Sequence, residues 1–253
     1  MFYIKTQETY YSNSKLVISG NIVELYEYGK MIPHGYTSNK QIKKRARDDT
    51  EGTSNSRSEE TERISLSRAR KGIRRLINAN AVELNKFVTL TFAENLTDVD
   101  KANYEFKKFI ERLKFYLKKA EPEHKLKYIS VIEFQKRGAV HYHVLFNLPY
   151  IDAKMLNEIW GNGFIKINKI DHIDNVGAYV SKYMSKDERD QRLWNKKMYF
   201  TSRNLDKPIE ITKQKEVNAI IDNLLADRKP TYTTSFENEF IGLVNYKQFN
   251  LKI

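Results

Sequence analysis

The chain has 253 residues, of which 40% are hydrophobic, with no cysteine and a formal net charge of +12. This is enough for one sizeable α/β domain with small additions; the lack of cysteine excludes a disulfide framework and any thiolate metal site, so a metal would be held by His and carboxylates. The positive surplus attracts polyanions, nucleic acid above all, while the absence of a membrane-length apolar run and of a signal-peptide pattern in Met1-Phe2-Tyr3-Ile4-Lys5 points to a soluble, cytoplasmic protein with no membrane partner.

Residues 15–28 read as two short strands about Gly20-Asn21, so 1–36 is expected to be an N-terminal hairpin region. Residues 37–60 are polar and poor in large apolar side chains, as in a flexible linker. A basic helix is predicted from Glu59 to Ala79, with Ile64, Ile73, Leu76 and Ile77 as its apolar stripe. Arg74 and Arg75 on it are candidate phosphate contacts. Phe87–Phe92 reads as a strand, Asp100–Lys119 as an amphipathic helix ended by Pro122, and Leu126–Phe134 as a second strand. After a turn at Gly138, Val140–Leu148 is predicted as a cleanly alternating third strand, followed by a short helix at Met155–Trp160 and a short strand at Phe164–Ile167. A helix is expected over His172–Lys186, another over Glu216–Asp227, and a terminal hairpin from Thr231–Phe236 and Ile241–Phe249. The predicted organisation is a core domain over 61–205 and a C-terminal helix-and-hairpin extension over 206–253. Its order of elements predicts an α+β fold, a central antiparallel sheet with helices packed on it.

Two constellations carry chemistry. His141-Tyr142-His143 lies in the alternating strand. Side chains two apart on a strand share a face, so both imidazoles project together, with Tyr142 and Val144 on the other side. Glu133 closes the preceding strand and is expected beside His141 if the two strands pair as a hairpin. Two imidazoles and a carboxylate suit a divalent ion. Further along, Tyr179 and Tyr183 are four residues apart and share a helical face, with Lys182 and Lys186 on an adjoining one. A phenol is a poor nucleophile until a cation or metal favours its ionised form.

Taken together these segments resemble the HUH superfamily of rolling-circle replication initiators, named for His, a bulky hydrophobic residue and His. The closer likeness is to phage and plasmid replication-associated proteins, including the two-tyrosine type. PheValThrLeuThrPhe at 87–92 looks like the family's first motif, GluPheGlnLysArgGlyAlaValHisTyrHis at 133–143 like its metal motif, and TyrValSerLysTyrMetSerLys at 179–186 like its nucleophile motif. The resemblance covers roughly 60–205. It implies a ferredoxin-like or RNA-recognition-motif-like fold in a protein of a bacterial host cell. It further implies Mg²⁺ or Mn²⁺ held by Glu133, His141 and His143, and nicking of single-stranded origin DNA (a hairpin) through a 5′-phosphotyrosine on Tyr179 or Tyr183, assisted by Lys182. The sequence does not order the two tyrosines. There is no GxxxxGK(S/T) phosphate loop, so unwinding is expected from a host helicase, with a host DNA polymerase extending the released 3′-hydroxyl. Arg74, Arg75, Lys136, Arg137, Lys186 and Arg203 are the expected salt-sensitive DNA contacts. The competing readings are a transposase or relaxase of the same superfamily, a metallohydrolase that activates water at the His pair, and a non-catalytic nucleic-acid-binding module.

Overall fold

The computed structural model describes residues 9–35, 59–170, 172–184 and 199–252. The expected linker at 37–58 lies outside the described residues. In chain order the first elements are β1 (Tyr10–Ser19), β2 (Ile22–His34), α1 (Glu59–Asn80), β3 (Lys86–Phe92), α2 (Val99–Ala120), β4 (Tyr128–Phe134), β5 (Val140–Phe146) and α3 (Ala153–Trp160). They are followed by β6 (Gly163–Asn168), α4 (Val176–Ser181), β7 (Tyr199–Thr201), β8 (Ile209–Ile211), α5 (Gln214–Ile220), β9 (Tyr232–Asn238) and β10 (Gly242–Asn250). The chain divides into two compact units, Glu59–Pro208 and a second that joins Met1–Ser58 to Ile209–Ile253.

The second unit is a five-stranded antiparallel sheet in the order β8-β1-β2-β10-β9. Leu16, Val23, Leu25 and Phe249 of the sheet bury against Val217 and Leu225 from the α5 segment. The ladder of β1 and β2 shifts register between Ser12 and Ser14. Gln214 stitches this irregularity: its Oε1 accepts from Ser12 Oγ at 3.0 Å and from the Asn13 amide at 3.1 Å, and its Nε2 donates to Ser14 Oγ at 2.9 Å. The amide left without a ladder partner is thereby satisfied.

The unit Glu59–Pro208 is built on an antiparallel sheet in the order β6-β3-β5-β4-β7. Helices cover both of its faces, giving the α+β fold expected, consistent with a ferredoxin-like plan. On one face α2 and α3 bury Phe106, Phe109, Leu113, Leu156 and Trp160 against Val88, Leu90, Tyr142, Val144 and Ile165. Side chains of this size contribute roughly 1.5–3 kcal/mol each on burial. Asp98 caps α2 by accepting from the amides of Asp100 and Lys101. Lys118 and Lys119 in its last turn suit the negative end of the helix dipole. On the other face α1 and α4 bury Ile73, Ile77, Val176 and Val180 against Phe87, Ile129, Val131 and Leu145.

Several boundaries differ from the sequence expectation. β5 was expected to alternate between core and solvent, yet all seven of its residues are buried, because both sheet faces are covered. It ends at Phe146, where the Asn147 side chain accepts from the Lys127 amide at 2.6 Å. The helix expected over 172–186 begins only at Val176: Asn175 is its cap, with its side chain accepting from the Ala178 amide at 2.9 Å. It passes into a tighter 3₁₀ turn over Lys182–Met184. Lys186 lies outside the described residues.

α4 lies close against α1. A methyl group on Gly177 would sit 2.3 Å from the Arg74 carbonyl oxygen and 2.7 Å from Asn78 Oδ1. Gly72, on α1, has nothing within 4 Å of such a group. Gly177→Ala is therefore expected to destabilise the protein by about 1–3 kcal/mol. Gly72→Ala should instead be neutral or stabilising by up to about 1 kcal/mol. Thermal unfolding midpoints of the two variants test this: equal midpoints would mean that the α1–α4 approach is not tight.

Candidate active site

The hairpin of β4 and β5 sets the site. Its register pairs Glu133 with His141, and Val131 with His143. β3 lies on the other side of β5, with Thr91 opposite His141 and Thr89 opposite His143. Since directly opposed residues share a face, Glu133, His141, His143, Thr89 and Thr91 all project toward the α1–α4 side. The turn between the strands is closed by Gln135 N–H to Ala139 O (2.9 Å) and Gly138 N–H to Gln135 O (2.7 Å), with Gly138 at φ 86°.

His143 is fixed at both ring nitrogens. Nδ1 is 3.1 Å from Thr89 Oγ1, and Nε2 is in short hydrogen-bond contact with Glu133 Oε2. His141 differs. It is 9% exposed and His143 5%, but the Nε2 of His141 has no hydrogen-bond partner. Burial pushes the His141 imidazole down to about 4, helped by His143 and Arg137 and opposed by Glu133. The ring is thus neutral near pH 7, with an orphaned polar nitrogen in a buried place, which is the state a metal ligand needs. Among the described residues no group of three or more His, Asp or Glu is gathered in metal-site geometry. Glu133 and His143 bond to one another, and His141 Nε2 stands apart from that pair. The face therefore holds one carboxylate and two imidazoles as donors without bringing them to a common point.

Tyr179 and Tyr183 pack over this face. The Tyr183 ring stacks on His143 with centroids 3.9 Å apart. Phe87 backs the cluster, its ring 5.7 Å from His143, 5.8 Å from Tyr179 and 5.7 Å from Tyr183. The Tyr183 hydroxyl donates to the Tyr179 oxygen at 3.2 Å. Burial, then the hydrogen bond to Tyr179, raises the Tyr183 phenol well above its ordinary range, so it stays protonated. Lys182 is exposed in the turn between the two tyrosines.

The other expected cations are spread out. Arg74 and Arg75 are half-buried on α1, and Lys136 is exposed in the β4–β5 turn. Arg137 is tied to the frame, donating to Phe92 O at 3.0 Å and Gln135 Oε1 at 2.7 Å. Exposed Arg203 follows β7 beside the start of β4, at the far end of that strand from Glu133. Sequence reasoning missed the residues that aim the tyrosine helix. Asn78 Oδ1 accepts from the Gly177 amide at 2.8 Å, and Asn78 Nδ2 donates to Asn175 Oδ1 at 3.1 Å. Arg70 donates to the Met184 carbonyl at 3.2 Å. No local pattern marks these contacts; only the Asn preceding an apolar helical run was readable as a cap.

The fold and this face define a class: α+β proteins whose antiparallel sheet carries an acid–imidazole cluster beneath a tyrosine-bearing helix. The model of the replication-associated protein ORF2 family matches residues 85–188, a segment that includes Glu133, both histidines and both tyrosines. The chain is similar to that family over this segment, which supports a Rep-like replication protein. No curated protein and no solved structure matches the chain.

The His141 environment has a pH consequence. Its folded value near 4 lies below its ordinary 6.5, so between these values the unfolded chain binds the proton first. The His141 contribution is fully present above about pH 6.5 and is lost as the pH falls toward 4. In EDTA, His141→Asn is expected to flatten the decline of the unfolding midpoint across this window relative to the parent protein. An equal decline in both proteins would show that His141 is not the titrating group.

Proposed function

We propose that this protein is a metal-dependent tyrosine endonuclease that nicks single-stranded origin DNA to start rolling-circle replication. The observation that carries this reading is the packing of Tyr179 and Tyr183 against His143, on the face shared by Glu133 and His141. A phenol becomes useful in phosphoryl transfer when its oxygen is oriented and charge on the phosphate is offset nearby.

In this mechanism the Tyr179 oxygen attacks the scissile phosphorus in line. The bond from phosphorus to the 3′-oxygen breaks, and the 5′-phosphate stays on Tyr179. The phenol gives up one proton and the departing 3′-oxygen gains one. The tyrosyl phosphodiester replaces the one broken, so a later 3′-hydroxyl can reverse the transfer and rejoin strands. The Tyr183 hydroxyl orients Tyr179 by donating to its oxygen, which makes Tyr179 the first nucleophile and leaves Tyr183 for a second transfer. Lys182 offsets charge on the phosphate. Glu133, His141 and His143 are the residues that would hold Mg²⁺ or Mn²⁺, the hard ions an oxygen-and-imidazole set suits. Thr89 would orient His143 through its second nitrogen. When bound, such an ion withdraws charge from the phosphate and the leaving 3′-oxygen. Lys136 and Lys186 supply backbone contacts, and a host helicase and polymerase complete the replication round.

The test uses single-stranded DNA of the protein's own replicon with Mn²⁺ or with EDTA. A covalent protein–DNA band on denaturing gels is expected with Mn²⁺ only. Tyr179→Phe should remove the first-transfer adduct, and Tyr179→Phe with Tyr183→Phe should remove all adducts while DNA binding persists. Cleavage without a covalent band would replace this reading with a water-activating hydrolase. Adducts in the double variant would place the nucleophile elsewhere. Independently of activity, Mn²⁺ is expected to raise the unfolding midpoint of the parent protein at pH 7 but not that of His141→Asn.

A further inference from the structure

The strand register extends the candidate site to an open edge of the sheet. Phe164 on β6 pairs with Thr91, which pairs with His141, which pairs with Glu133. One cross-strand row therefore runs Phe164, Thr91, His141, Glu133. In the adjoining row Lys166 pairs with Thr89, opposite His143. Because side chains alternate along a strand, Phe164 and Lys166 face the same side as the histidines, while Ile165 between them is buried in the opposite core. β6 is the edge strand. The Phe164 ring is 64% exposed and Lys166 is also exposed. Only the short Thr91 side chain lies between that ring and His141, and two strand spacings are roughly 10 Å.

The backbone presenting this ring is fixed. Gly163 has φ +153°, and a methyl group there would lie 2.4 Å from both the Thr91 carbonyl oxygen and the Ala93 amide nitrogen. Ala93 N–H donates to Asn162 O at 2.9 Å, and the indole of the fully buried Trp160 donates to Thr91 O at 3.0 Å. A large ring on a rigid strand loses little freedom when it stacks. The occupant it fits is single-stranded nucleic acid. An aromatic face accepts any unpaired base, a neighbouring cation accepts the backbone phosphate, and the chain as a whole carries a net charge of +12.

We propose that Phe164 and Lys166 form a strand-holding platform at the open edge of the active-site sheet: Phe164 stacks on an unpaired base flanking the scissile phosphate, and Lys166 contacts the adjacent backbone phosphate. The assignment of the scissile phosphate rests on the nicking reading above; the binding of single-stranded DNA by this edge does not.

The test measures anisotropy of a fluorescein-labelled oligothymidine of about 20 nucleotides, longer than the roughly 4–16-nucleotide site of a single binding fold. The full-length protein is used across a salt series. Phe164→Ala and Phe164→Leu are expected to weaken binding about ten-fold or more, as for one lost stacked base, whereas Phe164→Trp retains it. Phe164→Leu keeps an apolar side chain, and its unfolding midpoint separates lost stacking from lost fold. Lys166→Gln should reduce the slope of log affinity against log salt by about 0.7, one single-strand phosphate contact. Unchanged affinity in Phe164→Ala, an unchanged slope in Lys166→Gln, or no binding by the parent protein at low salt would overturn the platform. Adduct assays on the same proteins keep the two ideas apart. Adducts with unaltered affinities sink the platform alone. Weakened binding in Phe164→Ala, with no adducts from the parent on its own replicon DNA, sinks the nickase alone.

Discussion

The site depends on the antiparallel register of β4 and β5. That register places Glu133 opposite His141, and the two-residue period of the strand brings His143 to the same face. A slip of one residue would send both imidazoles into the core now filled by Tyr142 and Val144 and bring those residues out. The register is held because β5 has no free choice of face. Tyr142 is stacked on Phe106 at 4.6 Å and its hydroxyl donates to Asn103 Oδ1 at 2.8 Å. The α2 side of the sheet thus fixes chemistry on the α4 side. The hydrophobic effect sets the orientation of the strand, and the imidazoles inherit their position from it.

A second constraint supplies the other half of the site. α4 has six residues, too short to be stable alone. Its place is set by contact with α1. Gly177 lets the two backbones approach, and the Asn78–Asn175 pair satisfies amides at the helix start that have no partner within the helix. Once that end is fixed, Tyr179 and Tyr183 have little freedom: one turn apart, both land against Phe87 and His143. The same packing buries the tyrosines enough to make them look like ordinary core residues. The hydroxyl-to-hydroxyl contact argues otherwise, because a purely structural pair of rings has no need to aim one phenol at the other.

Much of the central domain was legible because its signals are local. β3, α2 and β4 follow from β-branched runs, a regular apolar stripe and flanking breakers, and the His pair follows from strand periodicity. The pairing of Glu133 with His141 was readable because a short turn leaves few registers. What was not legible is non-local. β7 and β8 are three residues each, and their strand state comes from partners far along the chain. Nothing in the local pattern of Tyr10–Ser19 says that it pairs with Ile209–Ile211. The late start of α4 was obscured because polar residues at 172–175 fit a helix face as well as the turn that Asn175 closes. The burial of both histidines was also missed, since alternation around them read as one solvated face when α1 and α4 in fact cover it.

That burial bears on which chemistry the face can support. Two solvent-exposed imidazoles would be hydrated and would gain little by taking a ligand. Here His143 is already committed, held by Thr89 and Glu133 and covered by Tyr183, while His141 keeps a buried nitrogen that nothing satisfies. Burying a polar atom without a partner costs about 1–3 kcal/mol, a standing penalty that a purely structural strand would have been free to remove with an apolar residue. The asymmetry of the two histidines parallels that of the two tyrosines, where Tyr183 donates and Tyr179 accepts. In each pair one member is spent on holding the frame and the other presents an atom still able to bond. Those two atoms, His141 Nε2 and the Tyr179 oxygen, belong to residues on the same side of the sheet, the side whose open edge carries Phe164 and Lys166. A non-catalytic binding sheet would have use for the aromatic edge, but it has no evident use for the unsatisfied imidazole. That is the physical reason for preferring an enzyme to a binding module.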